Sequence, residues 1–250
     1  MQNKYWVGSE KHVIRVNEVD NTKSATLPAL VNLMQEVAWN NSADLKYSVY
    51  DLLKQGVTWV VSRLQIHLTD YPKQQDVVKV ESWPSGMDRL YTYRDYRISD
   101  GGGKEIVRAT SAWVVMDINK RQVIQIPAFI KEGLNFEGDF DRLAIDRSKM
   151  KPIEGSSPGH NITVRHFDMD ANGHVSNTFY IQWILEALGC AWLSQNKIDY
   201  FDILFKGEAR AGDNLVVNTK NKDGRGAAII IKNKDNKELV RAGFSFIGRH

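Results

Sequence analysis

The segment Arg165-His166-Phe167-Asp168-Met169-Asp170-Ala171-Asn172-Gly173-His174-Val175-Ser176-Asn177 crowds acids, amides and imidazoles into one short stretch, immediately ahead of the most apolar helical run in the chain. Packing accounts for one or two of these groups: Ser176 is placed to cap a helix, and an Asp or Asn near a helix start often does no more than that. It does not account for all of them. Asp170, Asn172 and His174 alternate, so in an extended loop they project to one side, where a helix N-terminus offers unpaired N–H groups and positive potential. That setting suits a developing oxyanion. A second carboxylate, Glu208, closes an apolar-rich strand pattern, a position where a solvated Glu is the ordinary reading.

Other residues with chemical potential have plainer explanations. Gly155-Ser156-Ser157-Pro158-Gly159 matches the letters of a nucleophile elbow, but that motif needs a buried strand before it and a helix after it. Here it follows Lys151-Pro152-Ile153-Glu154 and precedes the strand-like Ile162-Thr163-Val164, so it reads as a linker turn. Cys190 falls inside the apolar helical run, where a free Cys behaves as a small core residue. His160, His166 and His174 lack the paired helical spacing and the Cys partners of a metal site.

The elements that must position these groups occur twice. Lys104-Glu105-Ile106-Val107-Arg108-Ala109 recurs nearly intact as Lys237-Glu238-Leu239-Val240-Arg241-Ala242, and Asp76-Val77-Val78-Lys79-Val80 aligns loosely with Asp213-Asn214-Leu215-Val216-Val217. Helical stretches around Glu36 and Glu186 fall in the same order, which marks two copies of one unit. In the first copy Leu27, Leu30, Val31, Met34 and Ala38 fall at helical spacing with Pro28 in the opening turn, and strands are expected over 57–68, 77–83, 90–98 and 106–116. In the second, one enclosed helix is expected over 179–193, with Gln182, Glu186 and Gly189 on a polar stripe, then strands over 198–208, 215–220, 227–232 and 238–247. Each half therefore reads as a long helix wrapped by a curved antiparallel sheet. Residues 127–159 are charged and polar and suit a connector.

A length of 250 residues accommodates two ordinary units, and 42% hydrophobic with 25% charged residues is a globular composition. A net charge of +3 falls short of the clustered charge of a nucleic-acid binder. No window reaches the roughly 18 unbroken apolar residues of a spanning helix, the first twelve residues lack a signal-peptide pattern, and the single cysteine cannot form an internal disulfide. A reducing cytoplasm is expected.

The run from Asp168 to Asn177, followed by Tyr180-Ile181-Gln182-Trp183-Ile184-Leu185-Glu186, resembles the acyl-acyl carrier protein thioesterases of the hotdog superfamily. The first half is similar to that family in Trp59-Val60-Val61-Ser62-Arg63-Leu64-Gln65, Tyr71-Pro72, Asp76 to Trp83 and Arg108 to Met116. The resemblance implies an α+β tandem double hotdog, with an acyl-housing repeat over 1–127, a connector over 128–159 and a catalytic repeat over 160–250. It further implies hydrolysis of fatty acyl-acyl carrier protein thioesters without cofactor or metal, and maps the functional set onto Asp170, Asn172, His174 and Glu208, with no equivalent cluster in the first repeat. Glu208 and His174 would activate water, Asn172 and helix N–H groups would hold the oxyanion, and Asp170 would orient the pair. A carboxylate nucleophile, Asp170 or Glu208, is the alternative. The expected partner is an acidic acyl carrier protein, with Arg147, Lys149 and Lys151 as candidate docking charges; no nucleic acid and no membrane span are expected. Two positions depart from the pattern: Ala209 stands where many relatives carry Cys, and Ser176 replaces the first Asn of the usual pair. Plant relatives begin with a plastid transit segment, and its lack here implies a bacterial-type cytoplasmic enzyme. An acyl-coenzyme A thioesterase and a non-catalytic acyl-binding module are the competing readings; a hotdog dehydratase fits less well because its Pro-Gly segment has no match around His174. The stripe at Gln182 and Glu186 suggests helix pairing between repeats, so that one chain mimics a dimer and a further homodimer is left open.

Overall fold

A computed structural model describes residues 6–134, 150, 159–170, 172–222 and 226–248. The candidate docking charges Arg147, Lys149 and Lys151, the elbow-like residues Gly155 to Pro158, and most of the expected connector lie outside the described residues. The first half runs β1 (Gly8–Val13), a one-turn 3-10 helix (Val16–Glu18), α1 (Leu27–Asp44), α2 (Val49–Leu53), β2 (Val57–Leu68), β3 (Val77–Met87), β4 (Tyr91–Ser99), β5 (Glu105–Asp117), β6 (Gln122–Ile124) and α3 (Ala128–Gly133). The second runs β7 (His160–Thr163), a one-turn 3-10 helix (His166–Asp168), α4 (Asn177–Glu186), α5 (Cys190–Gln195), β8 (Asn196–Phe205), β9 (Asn214–Lys222), β10 (Gly226–Asn233) and β11 (Glu238–Gly248).

These strands form one antiparallel sheet in the order β1-β3-β4-β5-β2-β8-β11-β10-β9-β7, with β6 added to β5. The order is a palindrome of two units: β1, β3, β4, β5 and β2 correspond to β7, β9, β10, β11 and β8. This is the α+β double-hotdog arrangement that the repeats imply. The repeated hexapeptides open equivalent strands and behave alike. Arg108 grips Glu105 and Arg241 grips Glu238 through paired guanidinium–carboxylate bonds of 2.7–3.1 Å. The turns before them are also equivalent: Asp100 Oδ1 accepts the Lys104 N–H and Asn233 Oδ1 accepts the Lys237 N–H, each at 2.9 Å.

The halves join where β2 pairs with β8, Leu64 opposite Ile203 and Gln65 opposite Asp202. Arg63 clasps Asp202 across this seam with two bonds of 2.9 and 2.6 Å. Removing one partner would strand a largely buried charge, which costs about 3–5 kcal/mol. One hydrophobic cluster crosses the seam, uniting Leu30 and Met34 of α1, Ile181 and Ile184 of α4, Ile66 of β2, and Phe201 and Ile203 of β8. The strand register is bent by irregularities at Val61/Arg63, Pro84/Gly86 and Ser245/Phe246, which curve the sheet over the helices.

Three expectations need correction. The helix expected over 179–193 is two helices: α4 stops at Glu186, and Gly189, at φ +85° and ψ +152°, stands at the head of α5 in a backbone conformation that a continuous helix cannot contain. Cys190, expected in the core, opens α5 and is exposed. Gln182 and Glu186 face solvent and bond to one another at 2.8 Å, so α1 and α4 meet through their apolar faces and not through that stripe.

Candidate active site

Asp170 and residues 172–174 are held in a tight turn, not the extended loop expected of them. Met169 pairs with Val175 in an isolated bridge, the Asp170 N–H donates to the His174 carbonyl at 2.7 Å, and the Gly173 N–H donates to the Asp170 carbonyl at 3.1 Å. Gly173 takes φ +74°, which a side chain would resist. The Asp170 carboxylate is the inner anchor of this turn. Its Oδ1 accepts the N–H of Asn172 at 2.8 Å and of His174 at 3.3 Å, while Oδ2 accepts from Asn172 Nδ2 at 3.3 Å. Both oxygens are thereby occupied, and the Asn172 amide is oriented with one N–H left for another acceptor.

Glu208 reaches the same place from the other side. The strand expected to run to 208 ends at Phe205, because the N–H groups of Lys206 and Gly207 both turn onto the Leu239 carbonyl. Gly207 passes Leu239 so closely that a Cβ there would lie 2.9 Å from its side chain. The Val175 N–H then donates to the Ala209 carbonyl at 3.0 Å, tying the Glu208 loop to the His174 turn. His174 Nε2 lies 3.1 Å from Glu208 Oε2. All four residues singled out in the sequence, Asp170, Asn172, His174 and Glu208, thus fall in two loops joined by that bond. His160 and His166 do not join them: His160 lies opposite Val217 in β7, and His166 packs edge-on against Phe167.

Two further residues meet the cluster without any signal in the local sequence. Arg121, in the turn between β5 and β6 of the first repeat, donates to Glu208 Oε2 at 2.9 Å. Tyr180, one turn into α4, buries its hydroxyl without a partner of full hydrogen-bond geometry among the described residues. Burial pushes its phenol up, opposed by the Ala209 backbone amide and assisted by the Glu208 charge, so it stays protonated.

The N-terminus of α4 lies three residues beyond His174. Ser176 occupies the cap position but accepts no N–H from the first turn; its hydroxyl pairs with that of Thr178 at 3.0 Å. The helix end therefore keeps its electropositive amides uncapped by a side chain. A cleft between the repeats is lined by Asn177 and Phe205 of the second and by Met34 of α1, Leu64 of β2, and Ser111 and Trp113 of β5 of the first. It holds only about 20 Å³, so a chain of several methylenes enters by displacing side chains, and Met34 is the most pliable of them.

Comparison with known proteins places the chain in a family. The acyl-ACP thioesterase N-terminal domain model matches residues 6–134, and the C-terminal domain model matches residues 152–246. An oleoyl-acyl carrier protein thioesterase of Coriandrum sativum is 30% identical over 220 residues, 82% of this chain and 60% of the relative. A palmitoyl-acyl carrier protein thioesterase of Gossypium hirsutum is 31% identical over 214 residues, 81% of this chain and 52% of the relative. The chain thus spans about half to three-fifths of the length of these curated relatives. Among solved structures, an acyl-ACP thioesterase from Bacteroides thetaiotaomicron superposes with a TM-score of 0.88 at 24% identity, covering 96% of this chain and 98% of that one. The 12:0-ACP thioesterase from Umbellularia californica gives 0.87 at 23% identity, covering 97% and 98%. The fold is shared with these two solved structures, and with both family models matched across most of its length the chain belongs to the acyl-ACP thioesterase family.

Proposed function

We propose that this chain hydrolyses fatty acyl-acyl carrier protein thioesters, releasing the fatty acid and the carrier thiol. The observation that carries the reading is the 3.1 Å contact of His174 with Glu208 beside the uncapped start of α4, whose first residue, Asn177, also lines an apolar cleft. Glu208 and His174 share the activation of a water that attacks the thioester carbonyl. The negative charge that develops on the carbonyl oxygen is met by the Asn172 amide and the first-turn N–H groups of α4. Asp170 holds the turn. With both its oxygens accepting hydrogen bonds, Asp170 is poorly placed as a nucleophile, so an anhydride route would have to run through Glu208.

The acyl chain lies in the cleft between the repeats, and residues 1–127 and 160–250 divide housing from chemistry. Exposed Arg165 and Arg210 sit beside the two catalytic loops, a placement suited to an acidic carrier protein, whose turnover would then fall with salt. One chain already supplies both repeats, so the site needs no second copy. A reducing, cytoplasm-like compartment suits the exposed thiol of Cys190.

The test is hydrolysis of acyl-carrier-protein and acyl-coenzyme A thioesters of graded chain length, with wild type beside His174→Ala and Glu208→Ala. Carrier-selective turnover lost in both variants is expected. Equal rates on both thiols would replace carrier specificity with a coenzyme A thioesterase, and tight binding without turnover would leave an acyl-binding protein. Single turnover in 18O-water separates the two chemistries, because label appearing in an enzyme carboxylate would establish the anhydride route.

A further inference from the structure

Arg121 is delivered to the catalytic carboxylate by the opposite repeat. Its hairpin is built from Asp117, which faces Gln122 across the β5–β6 pair and whose Oδ1 accepts the N–H groups of Asn119 and Lys120, each at 2.9 Å. Arg121 closes the turn at φ +50°, the left-handed region that glycine or asparagine occupies more easily. Hairpin geometry therefore gives no reason for an arginine here. Folding stability gives little more: the side chains of Arg121 and Glu208 are 54% and 38% exposed, and an ion pair so open to solvent contributes little.

What the arginine does achieve is geometric. Its Nη2 and His174 Nε2 approach the same oxygen, Glu208 Oε2, at 2.9 and 3.1 Å. A guanidinium donor from one repeat and an imidazole contact from the other converge on this oxygen and hold the orientation of the carboxylate. Among the described residues Oε1 has no partner, so it is the oxygen presented to a water.

We infer that Arg121 is a positioning residue, holding Glu208 so that Oε1 is turned toward the reacting centre and His174 keeps its contact with Oε2. The kinetic consequence rests on the hydrolase reading above; the geometric claim does not. Arg121→Gly removes the side chain while relaxing the backbone, and Arg121→Lys keeps a cation of lesser reach. For Arg121→Gly the thermal midpoint does not fall, KM for an acyl-carrier-protein thioester stays within about twofold, and kcat drops by roughly tenfold or more, partly restored in Arg121→Lys. Unchanged kcat in an active enzyme overturns the inference. So does a rise in KM at constant kcat, which would make Arg121 a contact for the carrier. A readout without substrate keeps the two readings separable: the 15N signals of the His174 imidazole are compared between wild type and Arg121→Gly. A moved signal in a wild type that hydrolyses no thioester would sink the hydrolase reading and leave the positioning role standing, whereas an unmoved signal overturns the positioning role in either case.

Discussion

Asp20 Oδ1 accepts the N–H of Thr22 at 2.8 Å and of Ser24 at 3.3 Å, and Asp170 Oδ1 accepts the N–H of Asn172 and His174 at the same two distances. The likeness continues through the backbone. The Asp20 N–H meets the Ser24 carbonyl as the Asp170 N–H meets that of His174; the Ala25 N–H meets the Pro72 carbonyl as the Val175 N–H meets that of Ala209. Lys23 stands at φ +59° where Gly173 stands at +74°. The turn ahead of α1 is thus the turn ahead of α4 with other side chains: Thr22 for Asn172, Ser24 for His174 and Tyr71 for Glu208. In the first repeat Ser24 is wholly buried and accepts from Lys73 Nζ at 2.7 Å, and the Tyr71 hydroxyl is spent on the Ile198 carbonyl at 2.8 Å. The frame is common to both repeats, so it belongs to the fold, and only what differs can belong to the chemistry. By that criterion Asp170 is part of the frame.

The comparison is broken most directly by rewriting the second turn as the first. His174→Ser places the Ser24 side chain in a frame that already tolerates it, so the thermal midpoint should stay near that of wild type. Turnover should fall by about 10²–10⁴, the usual worth of a positioned acid–base group. Glu208→Gln, which keeps the shape and removes the charge, should fall in the same range. A His174→Ser enzyme within tenfold of wild type would remove His174 from the mechanism. Next in size is Asn172→Ala. A lost oxyanion donor costs on the order of 10²–10³ in kcat with little change in KM. A loss confined to KM would assign Asn172 to substrate binding instead.

The same contrast explains what was legible in the sequence. Four strands of each repeat were, because β-branched and aromatic runs between turn residues mark them and the hexapeptide repeat matches them, whereas the polar edge strand β1 and the three-residue β6 carry no such run. Asp170, Asn172 and His174 were visible as polar residues dense ahead of an apolar helix, whereas Glu208 had the look of a solvated strand end and entered only through the family resemblance. The matching turn at Asp20 was not, because the letters Asn21-Thr22-Lys23-Ser24 share little with Ala171-Asn172-Gly173-His174, and a lysine at positive φ hides the turn that a glycine announces. Arg121 was invisible for another reason: its partner lies 87 residues away, and the contact depends on how two repeats pack. Gly189 reads as one member of a polar stripe, but its freedom to take positive φ lets the chain break between α4 and α5.

Asp170 offers a sharper test than its exposure suggests. Asn at this position keeps an Oδ1 that can accept both backbone N–H groups, so Asp170→Asn should retain activity within about tenfold, whereas Asp170→Ala loses the anchor and should fall further. A nucleophilic carboxylate could not survive the change to an amide, so an inactive but folded Asp170→Asn would restore an anhydride route through Asp170. Asp20→Ala should lower the thermal midpoint and leave kcat unchanged, because the frame it supports carries no chemistry.

The smallest expected effect separates the two helix starts. Thr26 caps α1 by accepting the Ala29 N–H at 3.2 Å, whereas Ser176 makes no such bond and leaves the first turn of α4 uncapped by a side chain. Thr26→Ala should therefore cost about 1 kcal/mol, the ordinary worth of an N-cap. In a chain of this size that lowers the thermal midpoint by roughly 2–4 °C. Ser176→Ala should cost only a few tenths of a kcal/mol, within the scatter of surface substitutions. A helix start that serves an oxyanion has reason to leave its N–H groups unclaimed, and one that only supports a wall has reason to satisfy them. Equal losses in calorimetry for the two variants would show that Ser176 caps α4 after all, and would weaken the assignment of those amides to the reacting oxygen.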